Sequence, residues 1–466
     1  MKSDFLIHNL FWEGFESFET NDPHLKKLKG LKYIHKSSLE TDIPVLFPGI
    51  YMLTGGRQVG KSTLLKLIIK KLLERKQIVA KQIYYLPCDT ITDFKQLIFE
   101  INNFYESTNK SDYFLLLLDE VTYVREWERA IKSFADAGLF NNAAVIITGS
   151  DSLLLKEATM MFPGRRGKSS KVDFHLYPLS FREFVSLKNS TLGATLDNIG
   201  ANFDQFFGIK NIRLDSDQIL SLFPLFEEYM QSGGYMPAIN DYAAQTKILP
   251  ATYNTYIQWI VGDILKRGKQ ESYLKEIISV LLSRIGKQIT WTNLVNDVAI
   301  EHHKTIADYI ELLSRMDVVK IFQALREDKM LPAPKKAKKV CFSDPFIFHA
   351  LHGYIKNEND FFALAKTTLE PSSDLKNSLI EGIIASLFNR TWESYYIKAE
   401  GEVDIAIVKN KKFLPIEIKN SVVLQKKDLK QILKYKNGII GYAGYEVGKF
   451  DHLDVVPIPL LAALTT

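Results

Sequence analysis

The sequence predicts an α/β protein made of several modules in series. Short apolar runs of β type (IYMLT, IYYL, FLLLL, AVIIT, VDFHL) alternate with helical patterns between residues 49 and 186, the rhythm of a parallel sheet covered by helices. A glycine-rich string, GGRQVGKST at 55–63, joins the first of these runs to a helix. Far downstream, two runs of period two at 402–408 and 413–419 read as a hairpin with acids along one face. With 466 residues there is room for about three domains of roughly 150 residues, each large enough for its own core.

Composition narrows the class. Hydrophobic residues at 46% and charged residues at 24% match an ordinary globular protein, so the chain should fold throughout. Only Cys88 and Cys341 are present, far apart, which excludes a disulfide framework and a cysteine-based zinc site and fits a reducing cytoplasm. The N-terminal MKSDFLIHNLFWEGFE carries acids inside its apolar stretch, unlike a signal peptide. No run reaches the ~18 apolar residues of a membrane span. The expectation is a cytoplasmic protein with no membrane partner. Net charge is +5, and residues 326–339 alone hold six Lys and Arg against two acids, so the positive field is concentrated there.

Along the chain, residues 1–48 form a lead-in without an assignable pattern. In the helix that follows the glycine-rich string, Leu64, Leu65, Ile68 and Leu72 recur at 3.6 spacing. Residues 187–270 read as helical, with a Gly-Gly-Tyr-Met-Pro break at 233–237 that should end one helix before the next. From 271 to 350 the expected order is helix, short helix, helix, then two strands (VVKIFQAL and VCFS) flanking the basic loop PAPKKAKK, a winged-helix pattern. Beyond 360 a helix over 375–388 is followed by strand, turn, strand, helix and strand.

The string at 55–63 obeys the P-loop pattern GxxxxGK[ST] in the strand-to-helix context that its mechanism needs. Gly55 and Gly60 let the backbone curl so that the N–H groups of Gly55, Gly56, Arg57, Gln58, Val59 and Gly60, with the helix N-terminus, face the phosphates of ATP. Lys61 neutralises the β- and γ-phosphates, Ser62 offers its hydroxyl to Mg²⁺, and Thr63 adds a hydrogen bond near the α-phosphate. FLLLLDE at 114–120 is a buried strand ending in two acids, where ligands bind at a sheet's C-terminal edge. There Asp119 holds the Mg²⁺ shell and Glu120 polarises the attacking water. AVIITGSDSLLL is another buried strand ending in polar residues, expected to carry the polar sensor between the P-loop and acidic strands, with Thr148 and Ser150 as the candidates. Arg165 and Arg166 either reach a neighbouring subunit's γ-phosphate as a finger or form a solvated basic turn.

The ordered set GGRQVGKST, LLLLDE, IITGS, PGRR, YPLSFREF and GGYMP resembles a family of bacterial and archaeal AAA ATPases that carry a C-terminal domain of uncharacterised function. The resemblance covers the chain from about residue 30 to the end. It implies an AAA core with Lys61, Ser62, Asp119 and Glu120 at the ATP site, then a helical region, a winged helix and a restriction-endonuclease-like α/β domain. The expected boundaries are 1–190 for the AAA-type P-loop domain with its lead-in, 191–270 for the helical lid region, 271–352 for the winged helix and 353–466 for the nuclease-like domain.

In the C-terminal hairpin, pairing Val408 with Phe413 puts Asp404 opposite Glu417 and Glu402 opposite Lys419, all on one face. Val403, Ile405 and Ile407 with Leu414, Ile416 and Ile418 then form the other, buried face. Opposed carboxylates repel, and a bound cation would remove the conflict. The arrangement resembles the PD-(D/E)xK nucleases, which implies Mg²⁺ held by Asp404 and Glu417 and a water-assisting role for Lys419. Val403-Asp404 stands where that motif has Pro-Asp. Glu381 matches the acid such nucleases supply from their first helix, and Gln431 and Tyr435, four apart on an expected helix, match a QxxxY element.

Two readings remain at this point. One is an ATP-hydrolysing AAA protein acting on nucleic acid, DNA above all, self-associating through its AAA domains and carrying a Mg²⁺-dependent nuclease. The other is an ATP-dependent DNA-binding or regulatory switch whose nuclease fold is inactive. The absence of an LSGGQ-like segment before FLLLLDE argues against a transporter ATPase.

Overall fold

The computed structural model describes residues 6–108, 112–149, 155, 164–199 and 214–465. The chain divides into two compact units, Met1–Tyr177 and Pro178–Thr466. Among the described residues, no helix is long and apolar enough to cross a membrane.

The first unit opens with α1 (Phe15–Asn21), α2 (Pro23–Leu28) and α3 (Leu39–Asp42). There follow β1 (Gly49–Thr54), α4 (Lys61–Glu74), β2 (Ile83–Pro87), α5 (Phe94–Ser107), β3 (Phe114–Asp119), α6 (Trp127–Asp136), β4 (Ala143–Gly149) and β5 (Asp173–His175). The strands form one parallel sheet in the order β2-β3-β4-β1-β5. Alternate residues of each strand serve opposite faces, as period two requires. Ile50, Met52, Leu116, Leu118, Val145 and Ile147 pack against α5 and α6. Tyr51, Leu53, Leu115, Leu117, Ala144 and Ile146 pack against α4 and the lead-in. Burial on both faces is why these strands read as continuous apolar runs.

The lead-in, unassigned from sequence, covers α4 and finishes the sheet. Phe11, Phe18, Leu25, Leu39 and Ile43 join the core on that face. Asn9 accepts from the Tyr85 N–H and donates to its carbonyl, both at 2.8 Å, and Trp12 donates to the Ile83 carbonyl at 2.9 Å. These contacts occupy backbone groups of β2, the edge strand, that would otherwise be open to a foreign strand.

The second unit begins with α7 (Phe181–Lys188), α8 (Ser190–Ile199), α9 (Ser216–Ser232), α10 (Met236–Gln245) and α11 (Pro250–Lys266). The Gly-Gly break falls between α9 and α10. Gly233 has φ +60, and a Cβ there would meet Asp344 Oδ1 at 2.0 Å, so the turn needs glycine on two counts. Next come α12 (Glu271–Ser283), β6 (Gln288–Ile289), α13 (Trp291–Leu294), α14 (His303–Arg315), β7 (Val319–Gln323), β8 (Leu325–Arg326), β9 (Leu331–Pro332) and β10 (Lys338–Phe342). β6, β10 and β7 make an antiparallel sheet with β10 in the middle.

After α15 (Pro345–Lys356) and α16 (Phe361–Thr368), α17 (Asp374–Asn389) leads into β11 (Glu393–Lys398), β12 (Glu402–Lys409), β13 (Lys412–Lys419), β14 (Ile439–Tyr442), β15 (Gly448–Phe450), β16 (Leu453–Pro457) and α18 (Ile458–Ala463). The mixed sheet runs β11-β12-β13-β14-β16-β15. The expected register holds from Ile405 opposite Ile416 to Lys409 opposite Lys412, with Val408 opposite Phe413, and Asn410 and Lys411 both at positive φ form the two-residue hairpin turn.

Three expectations for this region need correction. First, β12 is not uniformly of period two. Tyr395 pairs with Ala406 and Ile397 with Val403, so Asp404 and Ile405 together oppose Tyr396 in a bulge. Val403 consequently shares a cluster with Ala406, Leu429 and Ile432 instead of a face with Ile405 and Ile407. Second, Gln431 and Tyr435 flank a single 3-10 turn, Ile432–Lys434, not a helix. Third, β11 and the β15–β16 pair extend a sheet that the sequence pattern left shorter.

Candidate functional sites

The loop after β1 is shaped for close approach. Gly55 has φ +149 and a Cβ on it would lie 2.4 Å from the Leu176 carbonyl oxygen; Gly60 has φ +108 just before α4 begins. Arg57 hydrogen-bonds the Tyr123 hydroxyl, and Gln58 is left-handed at φ 59. Val59 borders Gly55. The buried Lys61 ammonium donates to the carbonyls of Gly55 at 3.0 Å and Gly56 at 3.1 Å and lies 3.2 Å from Glu120 Oε1. It therefore sits beneath the loop, centred on the position that a phosphate chain over these backbone groups would face.

The acids at the end of β3 are held differently. Asp119 is 5% exposed and accepts from Tyr85 Oη and Thr148 Oγ1, each at 2.6 Å. Burial, with the Asp119 carboxylate beside it, pushes the Tyr85 hydroxyl far above its usual range and keeps it a donor. Ser62, at the start of α4, also acts on the Tyr85 hydroxyl and lowers its pKa slightly against these larger effects. Glu120 is left-handed at φ 54, and its N–H donates to Thr148 Oγ1 at 2.8 Å. A non-glycine residue in that conformation costs on the order of 1 kcal/mol, and such strain gathers at functional sites. Thr148 thus touches both acids; Ser150, the other sensor candidate, lies outside the described residues.

Sequence reasoning missed the lead-in's approach to the loop. His24 Nδ1 lies 3.2 Å from Thr63 Oγ1, and burial lowers the His24 pKa. Behind it, Lys66 is 2% exposed, pairs with Asp22 Oδ2 at 3.1 Å, donates to the His8 carbonyl at 2.7 Å and stands 3.7 Å from the Tyr85 ring centroid. A lysine among apolar residues on α4 was the available signal.

The two arginines differ. Arg166 makes a two-pronged pair with Asp173 at 2.8 and 2.9 Å and donates to the Val172 carbonyl at 2.8 Å, fastening β5 to its own chain. Arg165 pairs with Asp136, and both side chains are partly exposed.

In the second unit, an acidic cluster forms where β12, β13 and α17 meet. Glu381, Glu402 and Asp404 place one oxygen each within 4.8 Å of one another. Asp404 Oδ2 accepts from the Ile418 N–H at 2.8 Å. Glu417 is 5% exposed; Lys419 Nζ donates to its Oε1 at 2.5 Å, while its Oε2 is buried with no hydrogen-bond partner. Burial and then the Asp404 charge push both the Glu381 and Glu417 carboxyls upward. An orphaned buried carboxylate oxygen is costly, and a cation answers it. Gln431 Oε1 accepts from the Gly401 N–H at 3.0 Å and its Nε2 donates to Tyr435 Oη at 3.2 Å, bracing the turn before β12.

Glu402 was not among the expected ligands, and one lysine is misplaced by the sequence reading. In the basic loop, Lys335 and Lys336 are exposed and Lys338 half-exposed, but Lys339 is 2% exposed and unable to meet a phosphate backbone. Its position one residue into β10 turns it inward. Its ammonium pairs with Glu381 at 2.7 Å and with Glu402, and lies 3.6 Å from Asp404 Oδ1. Gln288, its partner on β6, hydrogen-bonds Glu402 as well.

Comparison with known proteins adds the family context. Residues 48–185 match the family model of an AAA domain, and residues 224–358 match a domain of unknown function, DUF8612. An uncharacterized protein of Haemophilus influenzae is 26% identical over 280 residues, 57% of this chain and 60% of that one. An uncharacterized protein of Methanocaldococcus jannaschii is 25% identical over 335 residues, 68% of this chain and 64% of that one. The chain thus spans less than two thirds of the length of these relatives. Among solved structures, the Walker-type ATPase of Pyrococcus abyssi aligns with TM-score 0.42 at 15% identity, covering 72% of this chain and 96% of that one. The Aeropyrum pernix ORC1 protein in complex with DNA aligns with TM-score 0.30 at 11% identity, covering 73% and 93%. With the loop, Lys61 and the β3 acids in place, residues 48–185 are an AAA-type P-loop ATPase domain.

Proposed function

We propose that this ATPase is a Mg-ATP-driven switch acting on nucleic acid, with metal-dependent phosphodiester hydrolysis in its second unit. In this reading residues 1–190 are the AAA module, 191–270 a helical lid, 271–352 a winged helix and 353–466 a PD-(D/E)xK nuclease-like domain. In the first unit, Lys61 and the loop N–H groups bind the phosphates, Ser62 and Asp119 hold Mg²⁺, Glu120 orients the water, and Thr148 ties the two acids together. Arg165, whose pair with Asp136 is partly exposed, is the finger that a neighbouring AAA domain would receive, which makes the active form an oligomer.

The observation that carries the nuclease reading is the orphaned Glu417 Oε2 beside Asp404, with Lys419 on the same strand. Asp404 and Glu417 would hold a divalent cation, which when bound supplies Lewis-acid activation and charge neutralisation at phosphate. Lys419 would orient the attacking water and stabilise charge on the phosphate. Lys335 and Lys336, exposed on the loop before β10, offer phosphate contacts that position DNA. Incubating the protein with labelled DNA and RNA, with and without ATP and Mn²⁺, tests this: cleavage in the native protein and none in Asp404→Ala is the expected result. A second reading, a regulatory switch with an inactive nuclease fold, is favoured by Lys339, whose ammonium occupies part of the acidic cluster. No cleavage of any substrate, with DNA binding retained, would establish it.

A further inference from the structure

We infer that Lys339 is a resident cation of the acidic cluster, fixed there by the packing of β10 and excluding a divalent ion from the Glu381–Glu402–Asp404 position. The inference rests on the metal-site reading above and assigns the site one residue from outside the β12–β13 hairpin and its helix. The Lys339 ammonium contacts all three carboxylates that lie close enough together to hold an ion.

Two further features hold it in place. β10 is the central strand of its sheet, paired from Lys338 to Phe342 with β7 and at Lys338 and Lys339 with β6. α17 crosses it closely: a Cβ on Gly382 would lie 3.1 Å from Cys341 Cβ, and Ser386 Oγ donates to the Phe342 carbonyl at 3.0 Å. Withdrawing Lys339 would mean separating these surfaces, so it is a fixed part of the site.

Lys339 does not complete the charge balance. Glu381, Glu402, Asp404 and Glu417 are four carboxylates, while Lys339 and Lys419 are the two ammoniums that pair with them. Carboxyl groups thus outnumber ammoniums two to one in the cluster. Among the described residues, Glu417 Oε2 on β13 is a buried carboxylate oxygen of the cluster with no hydrogen-bond partner. The cluster is therefore built for one metal ion at the Asp404–Glu417 side, with a lysine standing where a second would go.

Calorimetric titration with Mn²⁺ in the absence of nucleotide tests this on the full chain, read as ions bound per chain. Lys339→Met should bind one ion more than the native protein; Lys339→Arg, which keeps the charge, should match the native count. Adding Glu381→Gln to Lys339→Met should remove the extra ion. Because Lys339→Met buries unpaired acids, Lys339→Met with Glu402→Gln serves as a second variant with the native charge balance, and it too should gain an ion through Glu381 and Asp404. A retained unfolding transition of the second unit in scanning calorimetry checks that each chain is intact. An equal count in the native protein, in Lys339→Met and in Lys339→Met with Glu402→Gln overturns the inference while leaving the single-metal site standing. No Mn²⁺ in the native protein but one in the variants sinks the catalytic-metal reading and still supports Lys339 as the resident cation. No Mn²⁺ in any of them overturns both.

Discussion

Lys66 and Asp22 provide the sharpest test of how the lead-in is attached to the ATPase core. Both are 2% exposed in their side chains and 3.1 Å apart, and the Lys66 pKa is lowered by burial against the pull of Asp22. Lys66→Met leaves the Asp22 carboxylate buried with only the N–H groups of His24 and Leu25, at 3.0 and 3.3 Å, to receive. Breaking a buried pair by removing one partner costs roughly 3–5 kcal/mol. For a unit of this size that corresponds to a fall in melting temperature of roughly 6–20 °C. The double change Lys66→Met with Asp22→Asn removes both charges and keeps a capping oxygen, so most of the loss should return. Scanning calorimetry with and without ATP identifies the first unit's transition, because only that transition rises with nucleotide. A single Lys66→Met change that lowers it by under about 2 °C, or a double variant no better than the single one, would refute the clamp.

Other consequences can be checked separately. Glu120→Gln should keep nucleotide binding and slow turnover by about a hundredfold or more, as expected for a group that acts on the water, measured by phosphate release and by fluorescent-nucleotide titration. Arg166→Ala should lower the stability of the first unit by about 1–2 kcal/mol, since it severs β5's hydrogen bonds; Arg165→Ala should leave stability unchanged and reduce turnover in a concentration-dependent assay. His349 is buried and its pKa is lowered from 6.5 to about 4, chiefly by burial, with its Nε2 at 2.9 Å from the Met230 carbonyl. A depressed histidine contributes stability above pH 6.5 that is lost as pH falls toward 4, about 3 kcal/mol in all. His349→Gln should therefore lose less stability than the native chain over that interval, and parallel pH profiles in urea denaturation would contradict it.

What the sequence could reveal follows from the range of the interactions involved. The P-loop, the acidic strand and the hairpin register are local. Gly55 to Thr63 carry their own backbone logic, and Asn410-Lys411 sets Val408 against Phe413 through turn geometry alone. The AVIIT strand lies where it was expected, as β4 between the P-loop strand β1 and the acidic strand β3, and this brings Thr148 onto Asp119; the positions of β2 and β5 at the two edges are not written in any one run. Asn9 reads as an ordinary polar residue until the β2 edge is present for it to pair with. The bulge at Asp404 arises from β11, a strand the pattern did not separate from its surroundings. By sequence Lys339 is one more lysine of the basic loop PAPKKAKK, because one residue of strand decides whether a lysine points outward or into a carboxylate cluster.

The inward turn of Lys339 also indicates what holds the acidic cluster together. Buried ion pairs contribute little net stability, because desolvation offsets their attraction. The contacts around Gly382 are of a different kind: α17 and β10 meet backbone to side chain, Glu381 is the residue before that glycine, and Lys339 lies two residues before Cys341. Close packing thus fixes the separation of Glu381 and Lys339, and the charges accept the geometry it imposes. On the other side, the β12 bulge re-aims Asp404 so that one oxygen receives the Ile418 N–H while the other faces the ammonium. A cluster positioned by packing on one flank and by a bulge on the other keeps its carboxylates in place when their charge changes. That preorganisation is what a site must have if a metal ion is to arrive into it without the protein first rearranging.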